Sequence, residues 1–258
     1  MNRIAKTINS ITKKFGYRIL EIEQHHWTEE FIGITKFEKS VLDVCANYSM
    51  TSYESMYFLI KAIMHIKNNE IKGDFIECGV WKGGNLILFQ KMIQKLKIKK
   101  KIYGYDTFGG MTKPGKFDYT FKKESAQKII NLLKEKNEDP KKNIVLAECS
   151  LEEVKKNYNK NTMFNRNLIC IKGPVEKTLK IKKNIPAKIS ILRLDTDWYE
   201  STKQELEILF PRLSKNGILI IDDYGYWNGA KKAVDMYFRK KAVSIFKIDF
   251  TSRFVIKK

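Results

Sequence analysis

From residue 73 onward, hydrophobic residues follow two alternating patterns along the chain. Short apolar runs have the length of buried strands, and between them apolar residues recur every three to four positions, as in amphipathic helices. This alternation is typical of a mostly parallel sheet with helices on both faces. Strands are predicted in GDFIECGV, KIYGYD, NLICIKG, ISILRLD and GILIIDD, and helices at 85–96, around Glu176, at 202–210 and at 229–238.

The two ends of the chain depart from this alternation. The last apolar runs, SIFKIDF and SRFVIKK, have no helical segment between them and are predicted to pair as antiparallel strands. Residues 1–70 are predicted to form a helical cap or lid ahead of one main domain at 71–258. The cap is expected to begin with an amphipathic helix that packs onto the domain, with contact to a membrane surface as the alternative. Its apolar positions at helical spacing are Ile4, Ile8, Ile11 and Phe15.

Two segments have the spacing of a helix-capping box. Thr51 and Glu54 precede a helical pattern in YESMYFLIKAIMHI, and Ser150 and Glu153 precede another in LEEVKKNY. Each pair predicts a helix start at its hydroxyl-bearing residue.

The charge of the chain bears on its partners. It has 49 Lys and Arg residues against 29 Asp and Glu, a formal net charge of +20. This excess is typical of proteins that bind nucleic acid, an acidic substrate or an anionic membrane surface, and also of a coding bias toward lysine. No nucleic-acid-binding motif accompanies the charge, so the coding bias is favoured and no nucleic-acid partner is expected.

Cysteine usage and hydropathy bear on the setting of the protein. Four widely spaced cysteines form no CxxC pair, which argues against a zinc or redox motif and fits a reducing, cytoplasmic environment. No apolar run is long enough to span a membrane, and the N-terminus lacks the uninterrupted apolar core of a signal peptide. Peripheral membrane contact through the N-terminal helix is left open.

The first predicted strand ends in a glycine-rich turn, Glu77-Cys-Gly79-Val-Trp-Lys-Gly-Gly. Glycines let a backbone approach a ligand closely, and an acid at this position attracts an amine or a ribose hydroxyl. The GxGxxG and Walker patterns are absent. A tight strand-to-helix turn explains the glycines equally well. Asp106, at the end of the next strand, is a candidate ribose-binding acid, with a turn or N-cap role as the alternative.

Two later strands end in pairs of aspartates, in LRLDTDW and IIDDY. If these strands are neighbours, Asp195, Asp222 and Asp223 meet at the carboxyl edge of the sheet, where their mutual repulsion is costly. A hard divalent cation, most naturally Mg²⁺, would offset that cost; raised pKa values or lysine partners are the alternative. If the chain stays extended, Asp197 points the same way as Asp195 and is available to accept a proton.

Four segments together resemble one known family. GDFIECGVWKGG, YGYDTFGGM, LRLDTDWYEST and LSKNGILIIDDYGYWNGAKKAVDMY are similar, in this order, to segments of the macrocin O-methyltransferase (TylF-type) family. The resemblance extends from about residue 50 to the end of the last predicted helix. It implies a Rossmann-like class I methyltransferase fold, S-adenosylmethionine (SAM) as methyl donor, Mg²⁺ as metal and sugar hydroxyls as acceptors.

The resemblance also implies roles for single residues. Asp197 would be the general base, and Asp195, Asp222 and Asp223 would bind Mg²⁺, with Asp195 also at the cofactor. The remaining residues of the implied SAM site are Met50, Thr51 and Ser52 at the methionine end, Glu77 and Gly79 at the amino-acid moiety, Asp106 and Thr107 at the ribose, and Gly173, Pro174 and Val175 at the adenine.

The acceptor is expected to be a nucleotide sugar, a surface glycan or a glycosylated natural product. Residues 111–142 form an insertion with a predicted helix at 125–136, and the lysine-rich part at 112–123 favours an acidic acceptor over a neutral one. Two alternatives remain: a non-catalytic binding protein on the same fold, and a nucleic-acid methyltransferase. The latter lacks its NPPY-type motif, since DTDWY stands in that place. Family members are often oligomeric, so a homo-oligomer is expected.

Overall fold

A computed structural model describes residues 33–143, 145–163 and 167–258. The predicted amphipathic helix at the N-terminus lies outside these residues. The chain divides into two compact units, residues 1–39 and 40–258, and the second unit contains the whole sheet together with residues 40–70. No helix of the described residues is long and apolar enough to cross a membrane.

The second unit is built on a seven-stranded sheet with the order β3-β2-β1-β4-β5-β7-β6. The first five of these strands run parallel, and β7 is antiparallel to both of its neighbours. This confirms the predicted α/β class I methyltransferase architecture with an antiparallel C-terminal strand. The strands are β1 Asp74–Cys78, β2 Ile102–Asp106, β3 Leu168–Lys172, β4 Ile189–Leu194, β5 Leu213–Ile221, β6 Phe246–Lys247 and β7 Arg253–Ile256.

Eight α-helices accompany the sheet in the described residues. Every residue of β4 is buried, as expected for a parallel strand covered on both faces. Ile76 and Leu192 in the sheet belong to one core cluster with Leu206 and Val234 of two covering helices. The helices are α1 Lys36–Ala46, α2 Tyr53–Asn68, α3 Gly84–Leu96, α4 Ala126–Glu135, α5 Leu151–Asn161, α6 Val175–Thr178, α7 Tyr199–Ile208 and α8 Asn228–Phe238.

Of the two helix caps predicted from the sequence, one is confirmed and the other is displaced by one residue. Ser150 caps α5 as predicted, because its side chain accepts a hydrogen bond from the backbone of Glu153. At α2 the predicted cap was wrong by one residue. Ser52, not Thr51, accepts the hydrogen bond from Ser55 N, and the hydroxyl of Thr51 accepts hydrogen bonds from Asn85 and Arg193.

The strand order places a switch point beside β1. The chain proceeds from β1 outward to β2 and β3, and then returns to the other side of β1 as β4. Cys78 of β1 pairs with Leu194 of β4, which pairs with Ile221 of β5, so these three strands end level with one another. Ligands of open α/β sheets bind at the carboxyl ends of the strands near such a point.

Candidate active site

A cavity of about 270 Å³ opens at the carboxyl ends of β1, β2, β4 and β5. Three residues of the predicted site, Ser52, Glu77 and Gly173, are not part of its wall. The predicted residues that line it are Met50, Thr51, Gly79, Asp106, Thr107, Pro174, Val175, Asp195, Asp197, Asp222 and Asp223.

Gly79 allows β1 and β4 to meet at the cavity. Its backbone has φ +85°, and a Cβ atom there would lie 1.8 Å from the carbonyl oxygen of Asp195. Asp195 N donates to Cys78 O at 2.8 Å, which holds the two chain segments together. A side chain is therefore excluded at Gly79, and the absence of one leaves backbone at the cavity wall.

Asp106 organises the turn that follows β1. Its carboxylate accepts hydrogen bonds from Val80 N at 2.7 Å, Trp81 N at 3.1 Å and Phe108 N at 2.7 Å. Burial raises the pKa of Asp106, and these hydrogen bonds oppose that effect. The turn role that the sequence left open is thus present, and the same side chain also faces the cavity.

Two residues that line the cavity carry buried polar atoms without partners. Among the described residues, nothing accepts a hydrogen bond from Trp81 Nε1 or pairs with Glu176 Oε2. An unpaired buried polar group costs about 1–3 kcal/mol. An unpaired donor and an unpaired acceptor, together with the close backbone at Gly79, fit a polar ligand such as SAM.

Most of the residues implied for the adenine and ribose line the cavity, and Gly173 lies behind them. Gly173 N donates to Asp106 O at 2.9 Å and brings Pro174 and Val175 to the wall. Thr107 lines the wall and donates through its hydroxyl to Gly110 O at 2.5 Å. The end of β3 is therefore fixed against the end of β2.

The segment before α2 forms another side. Met50 lines the cavity and is 42% exposed, and Thr51 lies deeper. Ser52 caps α2 and donates its own hydroxyl hydrogen to Asp249 Oδ2 in the turn between β6 and β7. The segment is thus held at Ser52, while its exposed methionine faces the opening.

Arg193, which was not predicted from the sequence, lies at the centre of the site. The side chain is 1% exposed, and its guanidinium donates four short hydrogen bonds. Nη1 reaches Glu77 Oε1 at 2.9 Å and Asp195 Oδ2 at 2.6 Å. Nη2 reaches Thr51 Oγ1 at 2.8 Å and Asp222 Oδ1 at 2.7 Å. The sequence feature that could have indicated this residue is a single arginine within the otherwise largely apolar run ISILRL.

Arg193 and Glu77 form a buried ion pair behind the cavity wall. Burial lowers the pKa of Arg193, but Asp195, Asp222 and Glu77 outweigh it and hold the pKa above its ordinary value. Burial raises the pKa of Glu77 to about 7, opposed by Arg193 and by Asn85. The guanidinium is therefore a fixed positive charge among the acids.

Three carboxylates come together on the open side of this arginine. Asp195, Asp197 and Asp223 each place one oxygen within 4.8 Å of the others. Burial raises the pKa of all three, that of Asp197 to about 7, and the neighbouring acids add to the effect on Asp195 and Asp223. Carboxylate oxygens that repel one another are the ligands that a hard divalent cation prefers, so these residues fit a metal such as Mg²⁺.

This group differs from the expected ligand set in one residue. Asp222 accepts hydrogen bonds from Arg193 and, at 3.1 Å, from Ser252 Oγ, and Asp197 takes its place in the group. The physical reason is that Arg193 and Ser252 engage Asp222, whereas the loop after β4 brings Asp197 next to Asp223.

Asp197 reaches the group by a route that the sequence did not indicate. The chain does not stay extended after Asp195: Asp197 has φ +67°, and Trp198 N donates to Thr196 O at 2.7 Å. Asp197 N also donates to Asp223 Oδ2 at 3.1 Å. A tight turn, not a continuing strand, brings the side chains of Asp195 and Asp197 together.

The basic insertion folds back over the site. Asp118 is buried and accepts hydrogen bonds from Gly115 N at 2.6 Å and from Tyr199 N, the first residue of α7, at 2.8 Å. Trp198 Nε1 donates to Thr112 O at 3.0 Å. Four lysines of this segment are exposed: Lys113, Lys116, Lys122 and Lys123.

The sequence of this chain is similar to those of known O-methyltransferases. A family model for macrocin-O-methyltransferase (TylF) matches residues 21–257. Demethyldecarbamoylnovobiocin O-methyltransferase of Streptomyces niveus is 28% identical over 192 residues, 74% of this chain and 67% of that protein. A Streptomyces olivaceus protein, 8-demethyl-8-(2,3-dimethoxy-alpha-L-rhamnosyl)-tetracenomycin-C 4'-O-methyltransferase, is 31% identical over 187 residues, 71% of this chain and 66% of that protein.

A solved structure agrees with the fold. The O-methyltransferase NovP superposes with a TM-score of 0.69 at 26% identity, over 82% of each chain. The glycine turn, the cavity at the switch point and the family match, which covers nearly all of the chain, lead to one assignment. The chain belongs to the macrocin-O-methyltransferase (TylF) family and is a SAM-dependent O-methyltransferase.

Proposed function

We propose that this protein transfers the methyl group of SAM to a hydroxyl group of a sugar, with Mg²⁺ bound at Asp195 and Asp223. The observation that carries the proposal is the position of the carboxylate group of Asp195, Asp197 and Asp223, which faces the same cavity as the glycine turn after β1. Asp222, also implied as a ligand, would act through Arg193 by keeping that guanidinium fixed beside Asp195.

A cation at these oxygens would lower the pKa of a hydroxyl group bound to it. Asp197 would accept the hydroxyl proton, since burial raises its pKa to about 7, close to the value that suits a general base. The sugar oxygen then forms its bond to the methyl carbon as the bond from that carbon to sulfur breaks. The products are a methyl ether and S-adenosylhomocysteine, and the proton stays on Asp197.

The choice of a sugar rests on the relatives. The Streptomyces olivaceus relative carries a rhamnosyl group in the name of its substrate, and another relative is named mycinamicin III 3''-O-methyltransferase. The exposed lysines of the insertion favour an acceptor that carries negative charge, such as a nucleotide-linked sugar.

The test is a methyl-transfer assay with SAM and a panel of neutral glycosides and nucleotide-linked sugars, with both products measured by mass spectrometry. Turnover is expected to stop when EDTA is added and to return with excess Mg²⁺. Asp195→Asn is expected to lower turnover at least about 100-fold while the Kd for SAM stays within about threefold. Asp139→Asn, an exposed acid in the insertion, is the matched control and keeps full activity. If turnover is insensitive to EDTA, the proposed dependence on Mg²⁺ is wrong.

A second variant tests whether Asp197 acts as the general base or as a metal ligand. Asp197→Asn is expected to lower kcat while the affinity for Mn²⁺, measured by electron paramagnetic resonance, is unchanged. A loss of Mn²⁺ affinity in this variant would instead make Asp197 a metal ligand.

A further inference from the structure

The loop between β4 and α7 contains a strained turn. The hydrogen bond from Trp198 N to Thr196 O, 2.7 Å long, closes a three-residue γ-turn with Asp197 at its centre. Asp197 has φ +67°, and a γ-turn with a positive φ is the rare and strained form. Residues other than glycine remain in such a conformation only where their surroundings hold them.

Helix α7 holds this turn at Thr196. The hydroxyl of Thr196 donates to Glu205 Oε1 at 3.0 Å, and its carbonyl accepts from Ser201 Oγ at 3.2 Å. Ser201 Oγ also reaches Trp198 O at 3.1 Å. Glu205 and Ser201 lie one helical turn apart, so one face of α7 fixes both the side chain and the backbone of the residue between the two acids.

Glu205 is an unusual residue to find at this depth. It is 0% exposed, and among the described residues its second oxygen, Oε2, has no hydrogen-bond partner. Burial raises the pKa of Glu205 well above its ordinary value, and the hydrogen bond from Thr196 opposes that effect. A buried polar group with an unpaired oxygen lowers the stability of a fold, and a leucine would fill the same space without that cost.

Glu205 is not part of the cavity wall, so it does not touch a bound substrate directly. Its hydrogen bond with Thr196 connects it to the site, because the neighbours of Thr196 on both sides are the acids Asp195 and Asp197. We propose that Glu205 is a positioning residue for methyl transfer, which through Thr196 holds the γ-turn in the one conformation that points both carboxylates into the cavity. The catalytic part of this inference rests on the proposed function, whereas its structural part does not.

Three substitutions in the full-length protein test the inference. Glu205→Gln keeps an acceptor for Thr196, Glu205→Met keeps the volume but removes the acceptor, and Thr196→Val removes the donor. Glu207, exposed on the same helix, offers the matched control Glu207→Met. Activity is measured well below the unfolding temperature of each variant, and SAM binding is measured by calorimetry.

Glu205→Met and Thr196→Val are each expected to lower kcat by about 10- to 100-fold, as for a small misplacement of reacting groups, with the Kd for SAM nearly unchanged. Glu205→Gln should recover most of that loss, and Glu207→Met should behave as wild type. The kcat of the double variant, which combines Glu205→Met with Thr196→Val, should be no lower than that of Glu205→Met alone, because both changes remove the same hydrogen bond. Wild-type kcat in Glu205→Met, equal damage from Glu205→Gln, or additive losses in the double variant would each overturn the proposal.

Hydrogen–deuterium exchange separates this inference from the proposed function. The peptide covering 192–202 should exchange faster in Glu205→Met and Thr196→Val than in wild type, and at the wild-type rate in Glu205→Gln. This readout needs no acceptor and no metal. Unchanged exchange in Glu205→Met refutes the positioning role even if the enzyme methylates sugars; faster exchange with no sugar methylation in wild type refutes only the proposed function.

Discussion

At the scale of single residues, Arg193 is the side chain on which the site depends most. It supplies one fixed positive charge to Glu77, Asp195 and Asp222, all of which lie in or behind the cavity wall. A buried charge is tolerated only where its partners compensate for lost hydration. Removing the arginine therefore leaves the buried Glu77 and two partly buried aspartates, Asp195 and Asp222, without their counter-charge.

Arg193→Met is expected to lower the free energy of unfolding by about 3–5 kcal/mol, the cost of breaking a buried ion pair. The free energy of unfolding of Arg193→Lys should lie between those of Arg193→Met and wild type, because an ammonium group cannot reproduce the two parallel donors of a guanidinium. Arg239→Met, at an exposed position after α8, should change stability by less than about 0.5 kcal/mol. Urea denaturation measures all three, and equal stability of Arg193→Met and wild type would contradict the role given to Arg193.

The sequence predicted the acids of the site better than their partners. Aspartates at the ends of apolar strands are visible as a pattern, since strand ends are recognisable and charged residues there are few. Arg193 is a single charged residue inside a buried strand, and Glu205 is one of several polar residues of a helix, so no local pattern marks either as part of a site. An extended chain would have pointed the side chains of Asp195 and Asp197 the same way, but a γ-turn brings them together instead.

At the scale of elements, the turn from β1 to α3 depends on one glycine. Gly79→Ala is expected to destabilise the protein by more than about 2 kcal/mol and to abolish SAM binding, because the new methyl group would overlap the backbone of Asp195 at a positive φ. Gly109→Ala is the matched control, since a Cβ there would lie 3.9 Å from Thr107 O, an ordinary contact distance. Thermal unfolding and calorimetry with SAM check both variants. Normal SAM binding by Gly79→Ala would show that the turn adapts.

The turn between β6 and β7 depends on Asp249. Burial raises the pKa of Asp249, but hydrogen bonds from Ser52 and from the backbone of Ser252 and Thr251 outweigh it and hold the pKa below its ordinary value. The ionised group therefore stabilises the fold above the pKa of the unfolded chain, and this stabilisation is lost as the pH falls through the lower folded value.

Asp249→Ala is expected to cost about 1–2 kcal/mol near neutral pH through lost hydrogen bonds to a charged acceptor. The difference in unfolding free energy from wild type should stay constant down to about pH 5 and narrow as the pH falls from about 4, the pKa of an unfolded aspartate, towards the lower folded value. Asp249→Asn keeps the shape without the charge and should show an intermediate loss. Urea midpoints over a pH series measure this, and a difference that widens in acid would contradict the sign.

The start of a helix could be predicted only where the residue that caps it is close to it in the sequence. Ser150 lies next to the helix that it caps, and its prediction was confirmed. Helix α7 begins at Tyr199, three residues before the predicted start, because the backbone of Tyr199 donates to Asp118 in the insertion. An acceptor 81 positions away in the chain is invisible to local pattern analysis.

At the scale of the whole molecule, the central strands of the sheet were predictable because they are buried on both faces and therefore appear as largely apolar runs. The antiparallel pairing of the last two strands followed from the missing helix between them. The insertion of β7 between β5 and β6 did not follow, since either strand of a hairpin can pair with the sheet. The position of the cavity follows from the strand order alone, and its internal hydrogen bonds do not.

The shortness of β6 has a consequence for the colloidal behaviour of the protein. The strand that closes this side of the sheet has two residues, Phe246 and Lys247, and both are exposed. Such a short edge offers few backbone groups to the strand of another molecule, and a lysine at an edge opposes its approach. The long apolar strands inside the sheet are thereby kept from serving as a template for edge-to-edge aggregation at this side.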